Sequence, residues 1–265
     1  MTNLELKTIQ TEYLAEYEKQ VTIDISEVLQ KVNEAELSPR SFTFYTSISV
    51  VASSKIEGEA IEIDSYMKHK MLNVKYVPEY VEKPNDLYDA YTFAQENKLS
   101  KTNFVKAHKL ISAHLILPAT RGKVRQNEMV VLQHQTGRIQ YEAAPASIVK
   151  HEFEKLFSDI DILLKTELND IETFYYAAFI HLIFVNIHPF EDGNGRAARL
   201  LEKWFLAQKL GKQAWSIASE KYYYIHVDNY YHNLARLGMF YEELDYGKCL
   251  PFLLMIFNSM IFEKK

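Results

Sequence analysis

The chain has 265 residues, 48% apolar and 25% charged, enough to build a packed core in one large domain or one domain with an appendage. A net charge of −5 and a pI near 6.0 argue against nonspecific binding to nucleic acid, and the single cysteine, Cys249, excludes a disulfide framework and a cysteine zinc site. Residues 1–20 lack the apolar run of a signal peptide. The most apolar stretches, 174–187 and 250–262, fall short of the ~20 residues a bilayer span needs, so a cytoplasmic protein with no membrane partner is expected.

Helical periodicity dominates, predicting helices near 4–18, 24–36, 40–57, 63–72, 86–98, 103–117, 146–166, 170–187, 195–210, 219–237 and 248–262. Start signals stand at Ser38-Pro39, Asn85-Asp86, Thr102-Asn103 and Asn169-Asp170. The helix at 40–57 carries Phe42, Tyr45, Ile48 and Val51 and ends in Ser53-Ser54-Lys55-Ile56-Glu57-Gly58. Ser53 and Glu57 share a face at i and i+4, and Gly58 is placed to cap the helix with positive φ. A soft boundary near 85 separates an N-terminal helical region, 1–85, from a core, 86–265. Strand-like runs appear at 129–132 and 138–141, around Gln135-Thr136-Gly137, which reads as a hairpin lying over a surface. The expected fold class is therefore all-α with one β-hairpin. Cys249, followed by the apolar run Leu250–Met255, reads as core, and His181 on its apolar helix reads as a satisfied interior residue.

Between two of these helices lies His188-Pro189-Phe190-Glu191-Asp192-Gly193-Asn194-Gly195-Arg196-Ala197-Ala198-Arg199. Gly193 and Gly195 are two of only eight glycines, so an unusual backbone is expected here. A Gly-Asn-Gly turn opening a helix aims successive N–H groups at one point, which favours an anion. His188 at the mouth of such a cradle can accept a proton from a hydroxyl at neutral pH. Asp192 is one carboxylate beside the expected phosphates, the usual way of holding Mg²⁺. Arg196 and Arg199, three apart, can clamp phosphate oxygens, and Phe190 reads as an anchor for the loop. The Lys-Ser/Thr ending of a P-loop is missing, no Glu closes an EF-hand loop, and His181 and His188 lack a third partner for zinc.

The stretch 188–199 resembles the signature of Fic-domain proteins, His-x-Phe-x-(Asp/Glu)-Gly-Asn-Gly-(Arg/Lys)-x-x-Arg, at every specified position. The resemblance covers about 40–262 and implies a helical Fic-type fold. It also implies an enzyme that moves AMP from ATP to a hydroxyl of a target protein. It assigns His188 as general base, Asp192 to Mg²⁺, and Gly193, Asn194, Gly195 and Arg196 to phosphate, with Arg199 on the γ-phosphate. Ser53, Glu57 and Gly58 fit the family's inhibitory pattern (Ser/Thr)-x-x-x-Glu-(Gly/Asn), which implies that Glu57 pairs with Arg199 and that the helix at about 40–58 is a brake. The hairpin stands in the place of the family's target-docking flap. Tyr230, with Tyr231, resembles the pair often found at the nucleoside pocket, beside Tyr222, Tyr223 and Tyr224; the Arg or Asn often found one turn earlier has no clear match.

The implied partners are ATP, an unidentified target protein and the chain's own hydroxyls; a homo-oligomer is left open. Two other readings stay open: a Fic-fold enzyme that uses another phosphate-containing donor or removes AMP, and a nucleotide-responsive interaction protein with little catalysis.

Overall fold

The structure is a computed structural model that describes residues 4–28, 39–133 and 136–262. Its helices are α1 (Leu14–Gln20), α2 (Pro39–Ile56), α3 (Ile63–Leu72), α4 (Pro78–Glu96), α5 (Lys101–Ile111), α6 (Val149–Lys165), α7 (Asp170–Ile187), α8 (Asn194–Leu210), α9 (Ser219–Ile225), α10 (Val227–Ala235) and α11 (Leu250–Phe262). Strands β1 (Val130–Leu132) and β2 (Ile139–Glu142) form one antiparallel pair, with Val131 opposite Tyr141. The all-α reading with one hairpin holds. Among the described residues no helix is long and apolar enough to cross a membrane.

Helix α7 is apolar on every side, so it can only be stable in the interior, and Thr173 through Ile187 are all buried. Its start follows from a capping box: Asn169 Oδ1 accepts from Glu172 N, and Glu172 Oε2 accepts from Asn169 N. Helices α6, α8 and α11 pack around it. Cys249 is fully buried, and burial pushes its thiol pKa up to about 12, so it is inert core. His181 is also fully buried, between Glu202 Oε2 at 2.7 Å and the Tyr230 hydroxyl at 2.9 Å.

Four expectations need correction. Residues 4–13 do not continue a helix into α1. They form a strap whose Lys7, Thr8 and Ile9 amides donate to the buried carboxylate of Asp159 on α6. That carboxylate draws these backbone groups away from helical pairing. Helix α4 starts at Pro78 rather than Asp86 and runs through Pro84, because packing of Val81, Pro84 and Leu87 outweighs the missing N–H. Residue 85, the boundary placed from sequence, therefore lies inside a helix. The N-cap of α5 is Ser100, whose hydroxyl accepts from Asn103 N, and the helix stops at Ile111 rather than 117. The single helix expected at 219–237 is two, broken at His226. Most of the helix expected at 24–36, the Ser38 start signal and Gln135 of the hairpin turn lie outside the described residues.

Candidate active site

Helix α7 delivers His188 as its C-cap, in the left-handed conformation with φ 51° and ψ 61°. For a non-glycine residue that geometry costs ~1–2 kcal/mol and has to be held from outside. The holding group is Arg125, a buried guanidinium that donates from Nε to His188 O at 2.7 Å and from Nη2 to Ile187 O at 3.2 Å. His188 Nδ1 lies 3.1 Å from Val185 O, which fixes the Nδ1–H tautomer and leaves Nε2 as an acceptor. Burial lowers the imidazole pKa to about 4; the Val185 carbonyl opposes this, Arg125 adds to it and Glu57 opposes it. The side chain is thus a neutral base at physiological pH.

The loop folds back onto α8 through three closures. Phe190 is fully buried and stacks on His108 at 3.6 Å between ring centroids, beside Phe104, Phe153 and Phe184. Asn194 Oδ1 accepts from Phe190 N at 2.9 Å while its Nδ2 donates to Phe190 O at 2.8 Å. The Asn194 side chain is therefore a loop clasp, and only its backbone amide remains to meet an anion. Third, His108 Nδ1 accepts from Gly122 N, and its Nε2 donates to Asp192 O at 2.9 Å. Gly193, at φ +79°, turns the chain into α8 where a Cβ would press on Ile111 and Leu115. Its amide donates to Asp192 Oδ1 at 2.6 Å. The first intrahelical bond runs from Ala197 N to Gly193 O, so the amides of Asn194, Gly195 and Arg196 open the helix without a helical acceptor.

Helix α2 crosses this end of α8 with matching four-residue steps. Ser49 Oγ accepts from Lys203 Nζ at 2.8 Å, and Ser53 Oγ accepts from Arg199 Nε at 2.8 Å. Glu57 Oε1 accepts from Arg199 Nη2 at 2.5 Å. Burial works against the Arg199 charge, yet the Glu57 carboxylate keeps its pKa raised. Gly58, at φ +82°, ends the helix as expected. Just beyond it, Glu59 accepts from Arg196 Nη2 at 3.0 Å and from Lys83 Nζ at 2.9 Å. Arg196 is 4% exposed, and its Nε has no hydrogen-bond partner.

A cavity of roughly 270 Å³ is lined by His188, Asp192, Asn194 and Gly195, by Met129–Leu132 of the hairpin, and by Glu57 and Arg199. Tyr230, Tyr231 and Leu234 line it too. Tyr230 is nearly fully buried, with its hydroxyl on His181 and its pKa pushed up to about 12 by burial, so it offers a ring face rather than a proton. The structure brings together His188, Asp192, Gly193, Asn194, Gly195, Arg199, Ser53 and Glu57, with Arg196 beside them on Glu59.

Sequence reasoning missed His108, Arg125 and Glu59. Their contacts span 84, 63 and 137 positions, and no local pattern marks them.

The donor set fits a magnesium ion carried with a polyphosphate. Asp192 faces the cavity with one carboxylate oxygen on Gly193 N, and among the described residues no three His, Cys, Asp or Glu groups converge into a metal cage. One carboxylate with phosphate oxygens and waters is how Mg²⁺ is commonly held. The buried, partly unpartnered guanidinium of Arg196 and the open helix amides fit an anion.

Residues 98–206 match the model of the Fic/DOC family. The protein adenylyltransferase Fic of Drosophila erecta is 28% identical over 110 residues, 42% of this chain and 20% of the relative. The chain thus spans about a fifth of that relative's length. A Fic family protein from Desulfovibrio desulfuricans superposes with a TM-score of 0.75 at 18% identity, covering 97% of this chain and 74% of that one. A Fic domain containing signaling protein from Bacteroides thetaiotaomicron gives 0.64 at 19% identity, covering 94% and 93%.

Proposed function

The chain belongs to the Fic/DOC family, and from that premise we propose that it is an autoinhibited protein adenylyltransferase acting on Mg²⁺-ATP and a protein hydroxyl. The observation that carries this reading is the shared cavity of His188 Nε2, the open amides of α8 and an Arg199 engaged by Glu57. The hydroxyl oxygen of the target attacks the α-phosphorus while His188 Nε2 takes its proton. The bond from the α-phosphorus to the α,β-bridging oxygen breaks, and pyrophosphate leaves. Asp192 would hold Mg²⁺, which when bound neutralises charge on the α- and β-phosphates. Amides 194–196 and Arg196 hold phosphate oxygens, and Arg199, once free of Glu57, receives the γ-phosphate. The exposed apolar edge of β1, with Val130 and Leu132, is where an extended target segment would pair.

Glu57 acts as the brake by occupying the guanidinium that would orient the γ-phosphate, so ATP binds without in-line geometry. The test is intact mass after incubation with Mg²⁺-ATP, for wild type, Glu57→Gly and Glu57→Gly/His188→Ala. An AMP-sized gain confined to Glu57→Gly is expected. Equal gain with His188→Ala would remove His188 as base, and failure of Glu57→Gly to transfer from α-labelled ATP to any protein in a cell lysate would overturn the reading.

The Glu57 carboxylate, which lines the same cavity as His188, also favours a second reading, removal of AMP by an activated water. Release of AMP from a modified protein by wild type, lost in Glu57→Gln, would mark that activity.

A further inference from the structure

The geometry points to Arg125 as a positioning residue that fixes the distance between a target seated on the hairpin and the base His188. This inference rests on the transferase reading above. Arg125 lies in the loop after α5, 3% exposed, and its side-chain bonds go to main-chain carbonyls on two sides. On one side are Ile187 O and His188 O, the last carbonyls of α7, which lack helical donors. Arg125 N adds a bond to Pro189 O at 2.9 Å. On the other side Nη1 donates to Asn127 O at 2.5 Å and Nη2 to Ala144 O. Asn127 and Ala144 stand just before β1 and just after β2, so one planar group staples both legs of the hairpin to the base of the catalytic loop.

Arginine suits this place for three reasons. Its donors form a rigid fork, so carbonyls on both sides are held in one plane. Its charge complements the negative end of α7. It also helps keep His188 in a left-handed geometry that is unfavourable on its own, with Nδ1 on Val185 O and Nε2 free. A lysine ammonium has the charge without the fork, and cannot reach four carbonyls in fixed directions. Loss of the fork leaves the hairpin tied to the end of α7 only through Ala144 N on Asn186 O and the Tyr141 hydroxyl on Val185 O, so its spacing from His188 loosens. The phosphate contacts proposed for amides 194–196, Arg196 and Arg199 belong to α8, outside the stapled segments.

The experiment uses the full chain. Arg125→Lys and Arg125→Gln are placed in Glu57→Gly, and Mg²⁺-ATP affinity and single-turnover AMP transfer are both measured. Amide hydrogen exchange is followed in the same variants without Glu57→Gly. Transfer is expected to fall on the order of 10²-fold with ATP affinity unchanged, as for a misplaced reacting group. Exchange is expected to rise together at 130–132, 139–142, 188 and 190 while α11 keeps its protection. Transfer that survives, or falls in step with ATP affinity, overturns the proposal, as does exchange that rises throughout the chain. If Glu57→Gly itself transfers nothing, the transferase reading fails, and exchange alone decides the staple: a coupled rise supports it, and unchanged exchange at either segment rejects it.

Discussion

Gly195 and Glu57 share one volume: the space a Cβ on Gly195 would fill holds the Glu57 Oε1 atom, with Arg199 Nη1 3.3 Å from the same point. The absent side chain at 195 therefore admits the Glu57 carboxylate, and under the proposed function it also admits a phosphate. Under that reading, brake and substrate compete for one place beside one guanidinium. Gly195→Ala should expel Glu57 yet obstruct the nucleotide, so it should not mimic Glu57→Gly. Transfer from labelled ATP in Gly195→Ala matching that of Glu57→Gly would show that the two occupants do not share this space.

Glu59 does for Arg196 what Glu57 does for Arg199. It holds Nη2 at 3.0 Å, itself steadied by Lys83. Exchanging the carboxylate for an amide should release Arg196 for phosphate. In a Glu57→Gly background, Glu59→Gln should tighten Mg²⁺-ATP binding a few-fold, on the order of 1 kcal/mol for a partly exposed pair. Calorimetric titration checks this; unchanged or weaker binding would mean that Arg196 is not a phosphate ligand held in reserve.

The pH dependence of transfer should reflect the lowered pKa of His188. With that pKa near 4, the imidazole is already neutral throughout the range in which an ordinary histidine titrates. Glu57 raises the value, so its removal shifts the base further down. Turnover by Glu57→Gly should therefore stay level from about pH 5.5 upward. An inflection near 6.5 that moves with substitutions around His188 would contradict the lowered pKa.

His108 predicts a stability effect in acid. Burial lowers its pKa to about 4, with the Asp192 carbonyl opposing, against about 6.5 in an unfolded chain. The folded value is the lower one, so its contribution is complete above 6.5 and is lost as pH falls toward 4. Between those limits it adds about 1.4 kcal/mol of slope per pH unit. Urea unfolding at pH 7, 6 and 5 should show a shallower dependence in His108→Gln than in wild type. Identical slopes would mean that His108 is not buried as a neutral ring.

The extent of sequence legibility follows from how far each interaction reaches. The start of α7 was readable because its capping box lies within four residues, and the helix itself because an all-apolar stretch has no solvent-facing alternative. Ser53 and Glu57 sit one turn apart, so their common face followed from helical geometry, and both do meet Arg199. The end of α4 that runs through Pro84 was misread because local propensity is a small term beside tertiary burial.

By itself, the sequence determined the helical class and the hairpin, and it brought a base, a carboxylate, an amide cradle and two guanidinium groups into twelve consecutive positions. Those properties depend on neighbours in the chain, and periodicity and spacing record them directly. Only the tertiary structure decided what holds that loop in working shape. Arg125 secures the His188 end, His108 secures the Asp192 carbonyl, and Glu59 occupies Arg196 across 137 positions. A buried donor takes whichever carbonyl or carboxylate the packed core brings within about 3 Å, and that choice leaves no periodic trace.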